Sequence, residues 1–283
     1  MSLSMKDLLA AGVHFGHRTP RWNPKMKHYL YGKRGGIHIF DLEQTANQLN
    51  EALAFLYDQA SVGKTILFVS TKNQTSTILP EAAKAANIPY LANRWPGGFL
   101  TNFRTIKERI KYLISLEENK QSGELTRKYT KKEALMFERD IVKLNEVLEG
   151  VKPLKNLPDV VVVFDAVRDQ LAIAEAFKMK IPVIALCDSN ADPSKVKIVI
   201  PGNDDALRSL TLMVNAAAQA VAEGRKAYTP SVRESRDQRP ANPASVKPID
   251  KLDISAAVMS EKDEGEKAAV APRAPVAKKA DAS

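Results

Sequence analysis

Four histidines, His14, His17, His28 and His38, fall within the stretch HFGHRTPRWNPKMKHYLYGKRGGIH, residues 14–38. His14 and His17 are separated by two residues, a spacing compatible with zinc. A structural zinc site uses four ligands, usually including cysteine. The chain has one cysteine, Cys187, so His28 and His38 would have to complete the set. His38 alternates with Ile37 and Ile39 and reads as a strand residue. The same stretch carries Arg18, Arg21, Lys25, Lys27, Lys33 and Arg34, whose charge opposes a bound cation. Zinc at His14 and His17 is therefore the weaker reading.

Other reactive groups have simpler explanations. Cys187 ends an apolar run, far in sequence from every histidine, and reads as a buried thiol rather than a nucleophile. The segments DSNADP and PGNDDA bring Asp188, Asp192, Asp204 and Asp205 into two loops. Such oxygen ligands suit Mg²⁺, but the same residues serve as helix caps and turn formers. ASVGKT resembles the end of a phosphate-binding loop, yet Asp58 stands where its first glycine belongs and a strand follows it. The loops TKNQTS and DAVRDQ, which follow strand patterns, contain no glycine and do not resemble a dinucleotide fingerprint. No cofactor, small-molecule substrate or enzymatic activity is expected.

Polyanion binding explains more of the charge. No acid occurs between Asp7 and Asp41, and Phe15, Trp22, Tyr29 and Tyr31 are interleaved with the cations. Cations neutralise phosphates, and aromatic faces stack on unpaired bases. Pro20 and Pro24 should hold this arm extended. A second region, NRWPGGFLTNFRTIKERIK (93–111), carries Arg94, Trp95, Arg104, Lys107, Arg109 and Lys111, with no acid between Glu81 and Glu108. Gly97 and Gly98 would let backbone amides approach a phosphate, and Thr101 and Asn102 add neutral donors. TRKYTKK (126–132) is a third patch. Residues 1–228 hold 32 Lys/Arg against 24 Asp/Glu, so the +9 net charge lies almost wholly within them. Trp22 and Trp95 read as anchors of their loops.

These residues need a scaffold. Strand patterns occur at 36–40, 64–70, 88–92, 159–164 and 181–187. They are nearly continuous apolar runs, as in a parallel sheet covered on both faces. Helical patterns separate them at 41–60, 168–180 and 205–222. This alternation predicts an α/β doubly wound parallel sheet. From 104 to 153 the strand signal stops. Ile106, Ile110 and Leu113, then Phe137, Ile141, Leu144 and Leu148, mark two helix faces of an inserted protruding αα-hairpin, coiled-coil-like in its spacing. The expected divisions are 1–103 with 154–228, an inserted hairpin at 104–153, and a disordered tail at 229–283. That tail has six prolines, eleven alanines and no aromatic residue. With a short, acidic N-terminus and no apolar run of about 20 residues, a soluble cytoplasmic protein is expected.

LLAAGVHFGHRTPRWNPKMKHYLYGKRGGIHIFDL resembles the N-terminal signature of the bacterial small-subunit ribosomal protein two family. NRWPGGFLTNFRTI, PDVVVVFDAVRDQLAIAEAFKMKIPVIALCDSNADP and IPGNDDALRSL resemble its further hallmarks, in order, across residues 5–228. The resemblance implies a flavodoxin-like α/β/α domain with a protruding helical hairpin and no enzyme activity. It also implies a structural place on the solvent side of the small ribosomal subunit, between head and body. Its contacts there would be small-subunit ribosomal RNA and neighbouring ribosomal proteins, with docking of the largest small-subunit protein. Two positions depart from the family pattern: Pro96 stands where leucine is usual, and Gly35 where asparagine is common.

Overall fold

The computed structural model describes residues 4–228. Ser4 caps α1 (Met5–Ala10): its hydroxyl accepts from the Asp7 amide, and the Asp7 carboxylate accepts from the Ser4 amide. Strands β1 (Phe15–Arg18), β2 (Leu30–Arg34) and β3 (Ile37–Phe40) then form an antiparallel sheet in the order β1–β3–β2. This corrects the expectation that 36–40 joins the parallel sheet. Gly35 and Gly36 sit at φ of +58° and +75°, joining the paired residues Arg34 and Ile37 in a two-residue hairpin. Positive φ at both centres is what a type I′ turn requires, and it pairs β3 with its nearest neighbour in the chain. The glycine at position 35 therefore meets the same backbone demand that asparagine would.

Asp41 caps α2 (Leu42–Ser61), accepting from the Glu43 amide at 3.0 Å, and Gln44 reaches the Asp41 carboxylate rather than its backbone. The remaining elements follow in order: β4 (Ile66–Val69), α3 (Ile78–Ala85), β5 (Tyr90–Leu91), α4 (Phe103–Gln121), α5 (Glu124–Lys128), α6 (Lys131–Leu148), β6 (Val160–Val163), α7 (Gln170–Lys178), β7 (Val183–Cys187), β8 (Ile198–Pro201) and α8 (Leu207–Ala227). The five later strands make one parallel sheet in the order β5–β4–β6–β7–β8. Counted within the sheet this is 2-1-3-4-5, the flavodoxin-type doubly wound order. The sequence reading did not include β8. Its four residues end at Pro201, which an edge position tolerates because no further ladder bond is needed there.

Alternation along the strands builds two cores. Ile66, Phe68, Val160, Val162, Ile184 and Leu186 pack with α2, α3 and α8. Leu67, Val69, Val161, Val163, Val183 and Ala185 pack with α7, the Trp95–Leu100 loop and the inner faces of α4 and α6. Each large side chain buried this way contributes about 1.5–3 kcal/mol. The helical hairpin between β5 and β6 thus shares its apolar seam with the sheet. Thr130 and Glu133 form a capping box at the start of α6, and Lys152 pairs with Glu117 of α4 at 2.7 Å. The expected tail, 229–283, lies outside the described residues.

Candidate nucleic-acid interface

The N-terminal arm is not extended as Pro20 and Pro24 suggested. Each proline instead lies at the start of a 3₁₀ turn, Pro20 second in Thr19–Arg21 and Pro24 first in Pro24–Tyr29. Fixed φ suits the first helical position, and the missing N–H costs nothing there. Asn23 caps the second turn through a bond from the Lys25 amide at 3.0 Å. Met26 drops into the core, while Arg18, Arg21, Lys27, Lys33 and Arg34 remain exposed. None of these five has a carboxylate within 4 Å among the described residues. Lys25 differs: its ammonium is bound by Asp192 at 3.0 Å and Ser194 at 2.7 Å. Trp22 is 37% exposed, with its ring 5.2 Å from that of His38.

The second basic region is organised by a residue the sequence reading missed. Glu175, on the buried side of α7, accepts from Trp95 Nε1 at 3.1 Å and from the amides of Gly98, Leu100 and Thr101 at 2.8, 3.0 and 3.2 Å. Burial opposes this charge, but the bonds from Gly98, Trp95, Leu100 and Thr101 outweigh it and hold the carboxyl below its ordinary range. The Gly98 amide is thus not free to meet a phosphate, which corrects that part of the sequence reading. The Phe99 amide donates to the Pro96 carbonyl at 3.1 Å, and Gly98 takes φ of +83°. That is the positive φ a type II turn needs at its third residue. Pro96 supplies only a carbonyl, so its departure from the family pattern leaves the turn intact. Trp95 is buried; Arg94, Gly97, Asn102 and Arg104 are exposed, and Lys107 is half-buried. Arg104 lies 3.7 Å from Glu108, a loose surface pair.

The four loop aspartates do not form one site. Asp192 belongs with Lys25. Asp188, Asp204 and Asp205 gather at the carboxyl ends of the strands, with Asp165 and the buried ammonium of Lys72. Lys72 Nζ lies 2.7 Å from Asp205, 3.0 Å from Asp204 and 3.2 Å from Asp165. Burial disfavours the ammonium, but the bond to Asp205 and the charges of Asp204 and Asp165 keep it protonated. Burial, with the charges of Asp165 and Asp188, pushes the Asp204 carboxyl up to about 7. His17, Asp204 and Asp205 place potential ligand atoms within 4.8 Å of one another, but the Lys72 ammonium already supplies positive charge to both aspartates. His14 is not part of this group; its ring lies tilted against that of Phe15, with centroids 4.0 Å apart.

His17 fastens β1 to this cluster. Its Nδ1 is 2.9 Å from Asp188, and its amide donates to Asp188 and Ser189. The bond to Asp188 raises the imidazole to about 8. A folded-state value above the ordinary 6.5 gives stability that is complete below pH 6.5 and lost as pH rises through 8. Relative to His17→Gln, the wild type should lose about 1 kcal/mol between these limits in urea unfolding, after allowance for partial exposure. Parallel pH profiles for the two proteins would contradict this.

These charges bear on function. The switch point between β4 and β6, where this fold usually holds ligands, is occupied by Lys72 and by Asp169, which accepts from the Thr71 amide at 3.0 Å and from its hydroxyl at 2.8 Å. Four surrounding carboxylates would repel a nucleotide phosphate. Cys187 is buried, and desolvation drives its thiol upward, so it is no nucleophile. No described helix is long and apolar enough to cross a membrane. The arrangement is that of a doubly wound α/β protein whose crevice is filled by its own side chains and whose loops present unpaired cations.

Residues 8–224 match the family described as Ribosomal protein S2. A protein named small ribosomal subunit protein uS2 from Dictyoglomus turgidum (strain DSM 6724 / Z-1310) is 48% identical over 221 residues, covering 78% of this chain and 89% of its own. Its namesake from Campylobacter fetus subsp. fetus (strain 82-40) is 42% identical over 261 residues, 92% of this chain and 98% of its own. That from Helicobacter hepaticus (strain ATCC 51449 / 3B1) is 45% identical over 236 residues, 83% and 89% respectively. The chain belongs to the ribosomal protein S2 family, whose members are structural rather than enzymatic.

Proposed function

We propose that this protein is a structural component of the bacterial small ribosomal subunit that binds small-subunit ribosomal RNA through its basic loops and docks neighbouring ribosomal proteins, among them the largest. One observation carries the RNA reading: Arg18, Arg21, Lys27, Lys33 and Arg34 stand exposed on a folded arm with no carboxylate within 4 Å among the described residues. Arg94, Arg104, Lys107, Asn102 and the Gly97 backbone extend the surface, with Trp22, Trp95 and Gly98 holding its shape. RNA helices hide their sequence in a deep, narrow groove, so recognition would rest on backbone and shape. For protein partners, α2 and α8 line an open groove of about 890 Å³ containing Leu53, Tyr57, Leu207 and Leu212, better suited to apolar contact than to phosphate.

Arg18, Arg21 and Lys27 changed together to Ala should lower incorporation into small subunits without unfolding the chain. The slope of log affinity for the RNA against log salt should fall by about two to three. Lys25 is left out because Asp192 already neutralises it. Normal occupancy of purified subunits by this variant would overturn the assignment.

A further inference from the structure

A cleft opens where the hairpin leaves the sheet domain, with a volume of about 430 Å³. Arg94 and Gly97 stand on its loop side, Arg109 of α4 and Lys143 of α6 on the other. Ile106, Leu144 and Val147 make an apolar floor. No acidic residue lines it, and the three cations have no carboxylate within 4 Å among the described residues. Asn102 Oδ1 accepts from the Thr105 hydroxyl at 3.1 Å, which leaves Asn102 Nδ2 as a neutral donor at the rim. A neighbouring hollow further along the hairpin shares Arg109 and Lys143 but adds Glu108 and Asp140. A polyanion is therefore favoured at the loop end and repelled beyond it. The loop is fixed in advance by the Glu175 bonds, which lowers the ordering cost of binding.

We infer that this cleft holds one unpaired nucleotide of RNA, with its flanking phosphates on Arg94, Arg109 and Lys143 and its base laid on the Ile106–Leu144–Val147 floor. The volume lies at the small end of the range of small-molecule sites; it admits a single splayed-out nucleotide and no helix. Charge on the walls with an apolar base-facing surface is the combination that single-stranded nucleic acid requires. An acidic peptide could satisfy the cations, but it would leave the apolar floor and the Asn102 donor without a counterpart.

This inference rests on the RNA-binding reading, and its test separates the two. The full-length chain would be bound to naked small-subunit ribosomal RNA, and unpaired bases probed chemically. Wild-type protein should protect at least one unpaired base that the Arg109→Ala, Lys143→Ala variant exposes again, while the Arg18, Arg21 and Lys27 triple variant retains that protection. Two phosphate contacts with a combined salt slope of ~1.4 make the expected affinity loss about tenfold at physiological salt. Both altered residues are exposed, so folding should be unchanged by circular dichroism. An unaltered footprint with affinity within twofold of wild type would overturn the inference and leave the RNA reading standing. So would unchanged RNA binding combined with impaired incorporation into whole subunits, which would assign the cleft to a protein partner. Absence of any wild-type footprint would overturn both.

Discussion

Replacing Lys72 with Met is expected to destabilise the protein by about 3–5 kcal/mol. Breaking a buried ionic network by removing one partner leaves the others uncompensated. Here the ammonium faces Asp165, Asp204 and Asp205 at 3.2 Å or less, and the side chains of Asp165 and Asp204 are 7% and 3% exposed. The wild-type Asp204 carboxyl already sits at about 7. Without Lys72 the easiest relief is protonation of the aspartates. A group with a raised folded-state value gives stability at low pH that is lost as pH rises through that value. The deficit should therefore be largest above pH 7 and narrow as pH falls toward 4. Urea unfolding of both proteins at several pH values measures this. A loss below about 1 kcal/mol at pH 8 would show that the cluster does not depend on the ammonium.

Glu175→Ala should be nearly as severe, at about 3–5 kcal/mol. Five donors lose their acceptor at once: the indole of Trp95, the amides of Gly98, Leu100 and Thr101, and the Thr101 hydroxyl. Each buried donor left unpaired costs about 1–3 kcal/mol, and neighbouring losses add incompletely. Glu175→Gln should be intermediate, because it keeps one acceptor oxygen but turns an NH₂ group toward other donors. Trp95 fluorescence in urea unfolding, read in a Trp22→Phe background because the chain has a second tryptophan, would report both stability and loop order. The variant should also bind ribosomal RNA more weakly, since Arg94 would no longer be held at the cleft. A Glu175→Ala protein with an unchanged unfolding midpoint would contradict the role given to this carboxylate.

The chain's local patterns carried much of the architecture. Continuous β-branched runs such as VVVV at 160–163 favour strands buried on two faces, and Ile106, Ile110 and Leu113 repeat at helical spacing. The error at 36–40 had a physical source: apolar alternation identifies a strand but not its partner. The signal for local pairing was the adjacent Gly35–Gly36, whose backbone freedom closes a hairpin. β8 was too short to stand out between two acidic loops.

The site was less legible than the fold. Exposed cations in acid-free stretches could be read directly, because sequence determines charge. Which of them are free could not, since Asp192 reaches Lys25 across 167 residues and Glu175 reaches Gly98 across 77. Gly97 and Gly98 looked like phosphate donors because glycine permits close approach, whatever group approaches. Here that group is an internal carboxylate. Lys143 went unremarked because one lysine on a charged helix carries no signal until Arg94 and Arg109 stand beside it. His17 drew notice as a metal ligand, yet it forms part of the attachment of the basic arm.

The central claim is that this chain is held on the small ribosomal subunit by phosphate contacts from its folded basic surface. Sedimentation of the full-length protein in bacterial extract tests it most directly. Neutralising several phosphates makes affinity fall by orders of magnitude as salt rises. The protein should migrate with the small subunit at low salt and shift to the free-protein fractions at about 1 M salt, with the Arg18, Arg21 and Lys27 triple variant leaving at lower salt than wild type. Sedimentation as free protein at every salt concentration would contradict the account.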